Sequence, residues 1–99
     1  MHELSLAQGL LTQLHDLATR HQARRIIRIM VEIGPLSGIV VDSFEFGFNC
    51  LSAESPLTKD AELNITIPAN DSSDIILLQV EMDSEEDNSV NDQPKTAIP

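Results

Sequence analysis

The feature that most constrains the fold is a change of hydrophobic period near residue 24. From Leu4 to about Arg20, apolar residues recur at steps of three and four, which predicts an amphipathic helix. Residues 25–33 are rich in β-branched side chains and alternate instead, which predicts a strand that the Gly34-Pro35 pair ends. The predicted apolar face of this strand consists of Ile27, Ile29, Val31 and Ile33, opposite Arg28 and Glu32.

A second helix and two further strands are predicted downstream. Asp42 or Ser43 is the expected N-cap of the helix, which the Ser55-Pro56 pair terminates. Its apolar face is predicted to contain Phe44, Phe48 and Leu51. Residues 61–67 alternate as a second strand, and residues 75–82 form a third apolar run, so these two strands could form a hairpin across the turn at 70–73.

The chain beyond Asp83 is acidic and nearly devoid of apolar residues, which is typical of a disordered tail. The expected organisation is therefore one domain over residues 1–83 and a disordered tail over 84–99. The predicted fold class is α+β: a two-layer α-β-α-β-β domain with two helices packed on a small three-stranded sheet.

Charge and cysteine content exclude several classes of function. The formal net charge is −10, which disfavours binding to nucleic acid despite arginines at positions 20, 24, 25 and 28. A single cysteine, Cys50, allows neither an intramolecular disulfide nor a zinc site built from cysteine pairs. No apolar run is long enough to span a bilayer, and no signal peptide is recognised, so the expected compartment is the cytoplasm, without membrane association.

Met1-His2-Glu3 is a candidate metal-binding sequence if the amino terminus is free. The Met1 amine, the deprotonated backbone nitrogen of His2 and its imidazole would form two fused chelate rings. A planar set of nitrogen donors favours Ni(II) or Cu(II) over zinc or magnesium. Glu3 could occupy the fourth position, or it could orient His2 and attract the cation. The alternative reading is that His2 is an ordinary exposed residue at a mobile terminus.

Several segments together resemble the nickel-binding domain of the HypA/HybF family. They are the opening MHELSL, RIIRIMVEIGPLSG, the helix SFEFGFNCL, the strand AELNITIPA, and IILLQVEM as a closing strand. The resemblance implies a nickel metallochaperone, not an enzyme, that binds Ni(II) at Met1, His2 and Glu3. It also implies delivery to the large subunit of nickel-iron hydrogenase, often to urease maturation as well, in concert with a partner GTPase.

The chain departs from the family pattern at about residues 68–74. Family members carry there an inserted zinc domain with two C-x-x-C pairs, whereas this sequence has only PANDSSD, so no zinc site is expected. Some members also have an acidic residue where this chain has Val40, and Asp42 lies two positions further on. The alternative function is an interaction module that docks on a maturation partner without delivering metal.

The remaining candidates are expected to be structural or surface residues. His15 and His21 are predicted to be unpaired surface residues on the first helix, and Cys50 a small buried hydrophobe. No spacing indicates a catalytic group or a phosphate-binding loop. The expected oligomeric state is a monomer, or a weak dimer that exchanges the closing strand about a hinge near 70–74.

Overall fold

Two helices and five strands make up the fold in the computed structural model, which describes residues 2–84 and 89–98. The elements in order are α1 (His2–His21), β1 (Ala23–Ile33), α2 (Val41–Ser52), β2 (Glu62–Thr66), β3 (Ile75–Ser84), β4 (Ser89–Asp92) and β5 (Thr96–Ala97). The predicted α+β class is confirmed. The sheet has five strands instead of the predicted three.

β1 lies inside the sheet, with β2 parallel on one side and β3 antiparallel on the other. The predicted hairpin of β2 and β3 is therefore wrong, because β1 separates them. Their link crosses the end of β1, where the Gly34 N–H donates to the Asp74 carbonyl at 2.8 Å and the Leu36 N–H to the Ser72 carbonyl at 2.9 Å. A Cβ at Gly34 would stand 2.3 Å from the Ser72 oxygen, so only glycine permits this approach.

The register of β1 with β3 contains irregularities that keep apolar residues opposite one another. Ile26 faces Met82, Ile29 faces Val80 and Val31 faces Leu77, and all six side chains are buried. β1 has two extra residues in this ladder, Arg24 and Ile27, and β3 has one, Leu78, as in β-bulges. The predicted alternation is therefore wrong at Ile27, which is 36% exposed, whereas Ile26 is buried.

The helices cover the core formed by β1 and β3. α1 packs against both strands and ends at His21, because Gln22 has a φ of 55°, a left-handed conformation that terminates helices. α2 packs chiefly against α1 and buries Phe44 and Phe48. Within residues 2–84 and 89–98, no helix is long and apolar enough to cross a membrane.

The amino-terminal end of α2 differs from its prediction. Val40 is the N-cap residue, and no side chain of the cap itself bonds to the helix. Asp42 and Ser43 both lie inside the helix, so their predicted capping role is wrong. The prediction considered only neighbours in sequence, whereas the backbone N–H of Val40 donates to the Glu3 carboxylate of α1, which lies far away in sequence.

The segment predicted as a disordered tail contains two strands. β4 pairs with Val80–Asp83 and β5 with Ile76–Leu77, so both extend the edge of β3. Ile98 is buried, and its N–H donates to the carbonyl of Ile75 at 3.0 Å. Composition misled the prediction because the few apolar side chains in this segment pack on the core while the backbone completes the sheet. The acidic residues 85–87 of the predicted tail lie outside the described residues.

Candidate metal centre

His2 is the first residue of α1, and its side chain is exposed. It lines a recess of about 550 Å³ together with the Ser37-Gly38 turn, Ile75 and Ile98. The first four N–H groups of an α-helix have no acceptor within the helix. The backbone nitrogen of His2 could therefore bind a metal without breaking a helical hydrogen bond. Met1, which was predicted to supply the amine, lies outside the described residues.

The Glu3 carboxylate is held by backbone N–H groups. It accepts a hydrogen bond of 3.1 Å from the N–H of Val40 and a second one from its own N–H. These bonds, that of Val40 first, hold the pKa of Glu3 below its usual value of 4.5, and the nearby positive amino terminus and His2 act in the same direction. Glu3 is therefore ionised at neutral pH and joins the start of α1 to the start of α2.

Asp42 and Glu3 both line one groove between α1 and α2. His2 faces the separate recess described above. No side-chain pattern predicts the role of Val40, because Val40 donates its backbone N–H to Glu3 while its side chain is 57% exposed. The position at which some family members have an acid thus adjoins the Glu3 carboxylate.

Side chains alone do not form a metal cluster in the part of the chain that the structure describes. No three histidine, cysteine, aspartate or glutamate side chains among residues 2–84 and 89–98 lie close enough to hold an ion. A site at His2 must therefore include main-chain donors or the Met1 amine. Such donors are the nitrogen atoms that the amino-terminal sequence predicts for a planar Ni(II) chelate.

The predicted environment is confirmed for His15 and corrected for His21 and Cys50. His15 is exposed as predicted. His21 is paired, since its Nε2 lies 2.7 Å from Asp92 Oδ2 and connects α1 to β4. Cys50 is exposed, so its predicted burial is wrong. The reason is helical geometry: Cys50 follows the buried Phe48 by two positions, which turns it roughly half a turn away from the core.

The sequence of this chain matches the profile of a known protein family. The family profile described as "Hydrogenase/urease nickel incorporation, metallochaperone, hypA" matches residues 1–72. By this description, the profile is that of a class of nickel metallochaperones. The chain belongs to the HypA family.

Individual relatives agree with this assignment. The chain is 37% identical over 67 residues to the hydrogenase maturation factor HypA of Aquifex aeolicus. This alignment covers 68% of the present chain and 57% of the Aquifex protein. It is 42% identical over 65 residues to the HypA of Moorella thermoacetica, and this alignment covers 66% of the present chain and 57% of the Moorella protein. The chain thus spans little more than half the length of these relatives.

A solved structure has the same fold. The solution structure of the Ni metallochaperone HypA from Helicobacter pylori matches with a TM-score of 0.64 and 26% identity. The match covers 95% of this chain and 71% of that protein. Because it covers 95% of the chain, it extends well past residue 72, where the family profile ends.

Proposed function

We propose that this chain is a nickel carrier that holds one Ni(II) at its amino terminus and transfers it to an acceptor protein. The ligands are the Met1 amine, the backbone nitrogen of His2 and the His2 imidazole. The observation that carries the proposal is the position of His2: it is exposed, begins α1, and has a backbone nitrogen outside the hydrogen-bond ladder of the helix.

Glu3 supports this site through its charge and its hydrogen bonds. Its carboxylate bonds to two backbone N–H groups, those of Val40 and of Glu3 itself. These bonds hold the carboxylate against the backbone, so we assign Glu3 the role of attracting the cation and fixing the start of α1. The fourth position of a planar complex is then open to a ligand from the acceptor, which suits transfer between proteins.

The acceptor follows from the family. We propose the large subunit of nickel-iron hydrogenase as the acceptor, with a maturation GTPase as the helper, acting in the cytoplasm. The matched profile names both hydrogenase and urease, so urease maturation is a second destination of the same cargo. Carriage requires no catalytic group in this chain, and we assign none.

Calorimetric titration with nickel tests the chelate on tag-free protein with an unblocked Met1. We expect one-to-one binding with a Kd of about 1 μM or tighter, lost in His2→Ala and in a protein extended by one residue before Met1. His15→Ala is the matched control, because His15 is an exposed histidine on the same helix, and it should bind like the parent. Equal weak binding by all four proteins would disprove the proposal and favour the interaction module.

The geometry of the complex is tested by NMR of the loaded protein. Planar Ni(II) is diamagnetic, whereas six-coordinate Ni(II) is paramagnetic and broadens signals around it. We expect the amide signals near His2 to shift without broadening, and Glu3→Gln to retain this behaviour with weaker binding. Broadening in the parent that Glu3→Gln abolishes would instead make the carboxylate a ligand.

A further inference from the structure

An apolar groove between the start of α1 and the outer face of α2 is left open to solvent. Its volume is about 540 Å³, and its floor includes Leu4, Phe46, Gly47 and Cys50. Phe46 is 71% exposed, although phenylalanine is usually buried. A Cβ at Gly47 would lie 3.8 Å from Leu4 Cδ1, an ordinary van der Waals distance, so Leu4 and Gly47 are neighbours on this floor. We call this surface the α1/α2 groove.

The rim of the α1/α2 groove is acidic. Glu3 and Asp42 line it, and α2 contains no lysine or arginine. Basic side chains of β1 do not offset this charge, since Arg25 bonds to Asp83 at 3.2 Å and Arg28 to Glu81 at 3.0 Å. The groove therefore combines an apolar floor with two carboxylates and no lysine or arginine among its lining residues.

This combination selects one kind of occupant. A second copy of the chain would bring the same acidic rim and a net charge of −10 towards the first, and like charges oppose such an interface. Apolar grooves beside helices commonly accept the apolar face of an amphipathic helix. We propose that the α1/α2 groove docks a helical segment of a partner protein whose apolar face is flanked by lysine or arginine.

Phe46 is the expected energetic centre of this surface. Large aromatic side chains dominate binding energy at protein interfaces, and an exposed one on a helix face marks such a site. Glu3 and Asp42 then provide charge complementarity, which mainly accelerates association and weakens as salt rises. The docking surface does not depend on nickel, and its test uses metal-free protein, so it can fail or succeed independently of the proposed nickel site.

Cys50 provides a direct readout because it is the single cysteine, lies in the groove and is exposed. The probe is a synthetic amphipathic helical peptide of leucine and lysine. Controls are a scrambled peptide of the same composition and a leucine–glutamate peptide with the same pattern. We expect only the patterned basic peptide to slow alkylation of Cys50, saturably and with one-to-one stoichiometry.

Variants assign the effect to the groove. Phe46→Ala should weaken peptide binding about tenfold or more, and Asp42→Lys should weaken it most at low salt. Ile67→Ala is the matched control, because Ile67 is also an exposed large apolar residue but does not line the groove, and it should leave binding unchanged. Amide NMR spectra verify that each variant is folded.

Several results would overturn the proposal. Absence of protection, or equal protection by the scrambled or acidic peptide, would show that the groove does not select a basic helix. An equal loss in Ile67→Ala would show only general adhesion of the peptide. Self-association of the metal-free parent that Phe46→Ala abolishes would identify a second copy of the chain as the occupant.

Discussion

At the scale of single residues, the hydrogen bond between Glu3 and Val40 links the candidate metal site to the rest of the fold. Glu3 follows His2 directly, while Val40 precedes α2, so one carboxylate connects two helix starts that lie far apart in sequence. The partly positive end of a helix favours such an anion. Changes at Glu3 should therefore affect both the metal site and the attachment of the turn before α2.

The pH dependence of this bond can be predicted in sign. Because the folded pKa of Glu3 is lowered, its contribution to stability is complete above the unfolded value near 4.5 and is lost as pH falls through the folded pKa. We expect the Val40 amide proton to titrate in NMR spectra with a midpoint below 4.5. In Glu3→Gln this titration should disappear, and the protein should melt at a lower temperature at neutral pH.

Glu45→Gln is the matched control, since Glu45 is a glutamate on α2 outside the lining of the groove. It should preserve the titration of the Val40 amide. A midpoint at or above the ordinary glutamate value in the parent would contradict the role of the two backbone hydrogen bonds.

At the scale of elements, the pairing of β1 with β3 determines which side chains form the core. β1 has two extra residues and β3 has one, and with these irregularities the buried side chains of Ile26, Ile29 and Val31 each face a buried side chain of β3. A regular alternation would have buried Ile27 and exposed Ile26. In the structure Ile26 is buried and Ile27 is exposed. The same substitution at two isoleucines of β1 should therefore change the free energy of unfolding by unequal amounts.

Ile29→Ala should lower the free energy of unfolding by about 2–5 kcal/mol, since it removes a fully buried side chain from the core. Ile27→Ala, the matched control on the same strand, should cost about 1 kcal/mol or less because the side chain lies at the surface. Urea unfolding followed by circular dichroism measures both. Similar losses in the two variants would indicate the regular alternation instead of the bulged register.

At the scale of the whole molecule, the segment after residue 88 belongs to the folded core. β4 and β5 extend the sheet, and the pair formed by His21 and Asp92 fastens β4 to the end of α1. Ile98 also lines the recess in which His2 lies. The carboxyl-terminal part of the described chain therefore contributes to the surroundings of the candidate metal site.

Ile98→Ala should lower the free energy of unfolding by at least about 1 kcal/mol, because Ile98 is only 8% exposed. Gln93→Ala, at an exposed position of the same segment, is the control and should be neutral. Urea unfolding again provides the measurement. A neutral effect of Ile98→Ala would restore the prediction of a disordered tail.

Local patterns were sufficient to predict the α+β class, both helices and the first three strands. They failed where distant parts of the chain determine the outcome. The position of β1 between β2 and β3, the bulge at Ile27 and the strand formed by Ser89–Asp92 all depend on pairing between remote segments. The position of His2 and Glu3 at the start of the sequence was enough to predict them as metal-site candidates. The hydrogen bond of Glu3 to Val40 could not be predicted, because its donor is a backbone group.

The central position of β1 also has a consequence for how the chain folds. No short turn joins β1 to either of its neighbouring strands. Arg28 bonds to Glu62, 34 positions away in sequence, and to Glu81, 53 positions away. The central ladders therefore cannot start from a local hairpin, and loop closure must precede them. Such topologies fold on a timescale of about milliseconds rather than microseconds. During synthesis, β1 leaves the ribosome well before either of its partner strands, so its backbone stays unpaired until β2 and β3 follow.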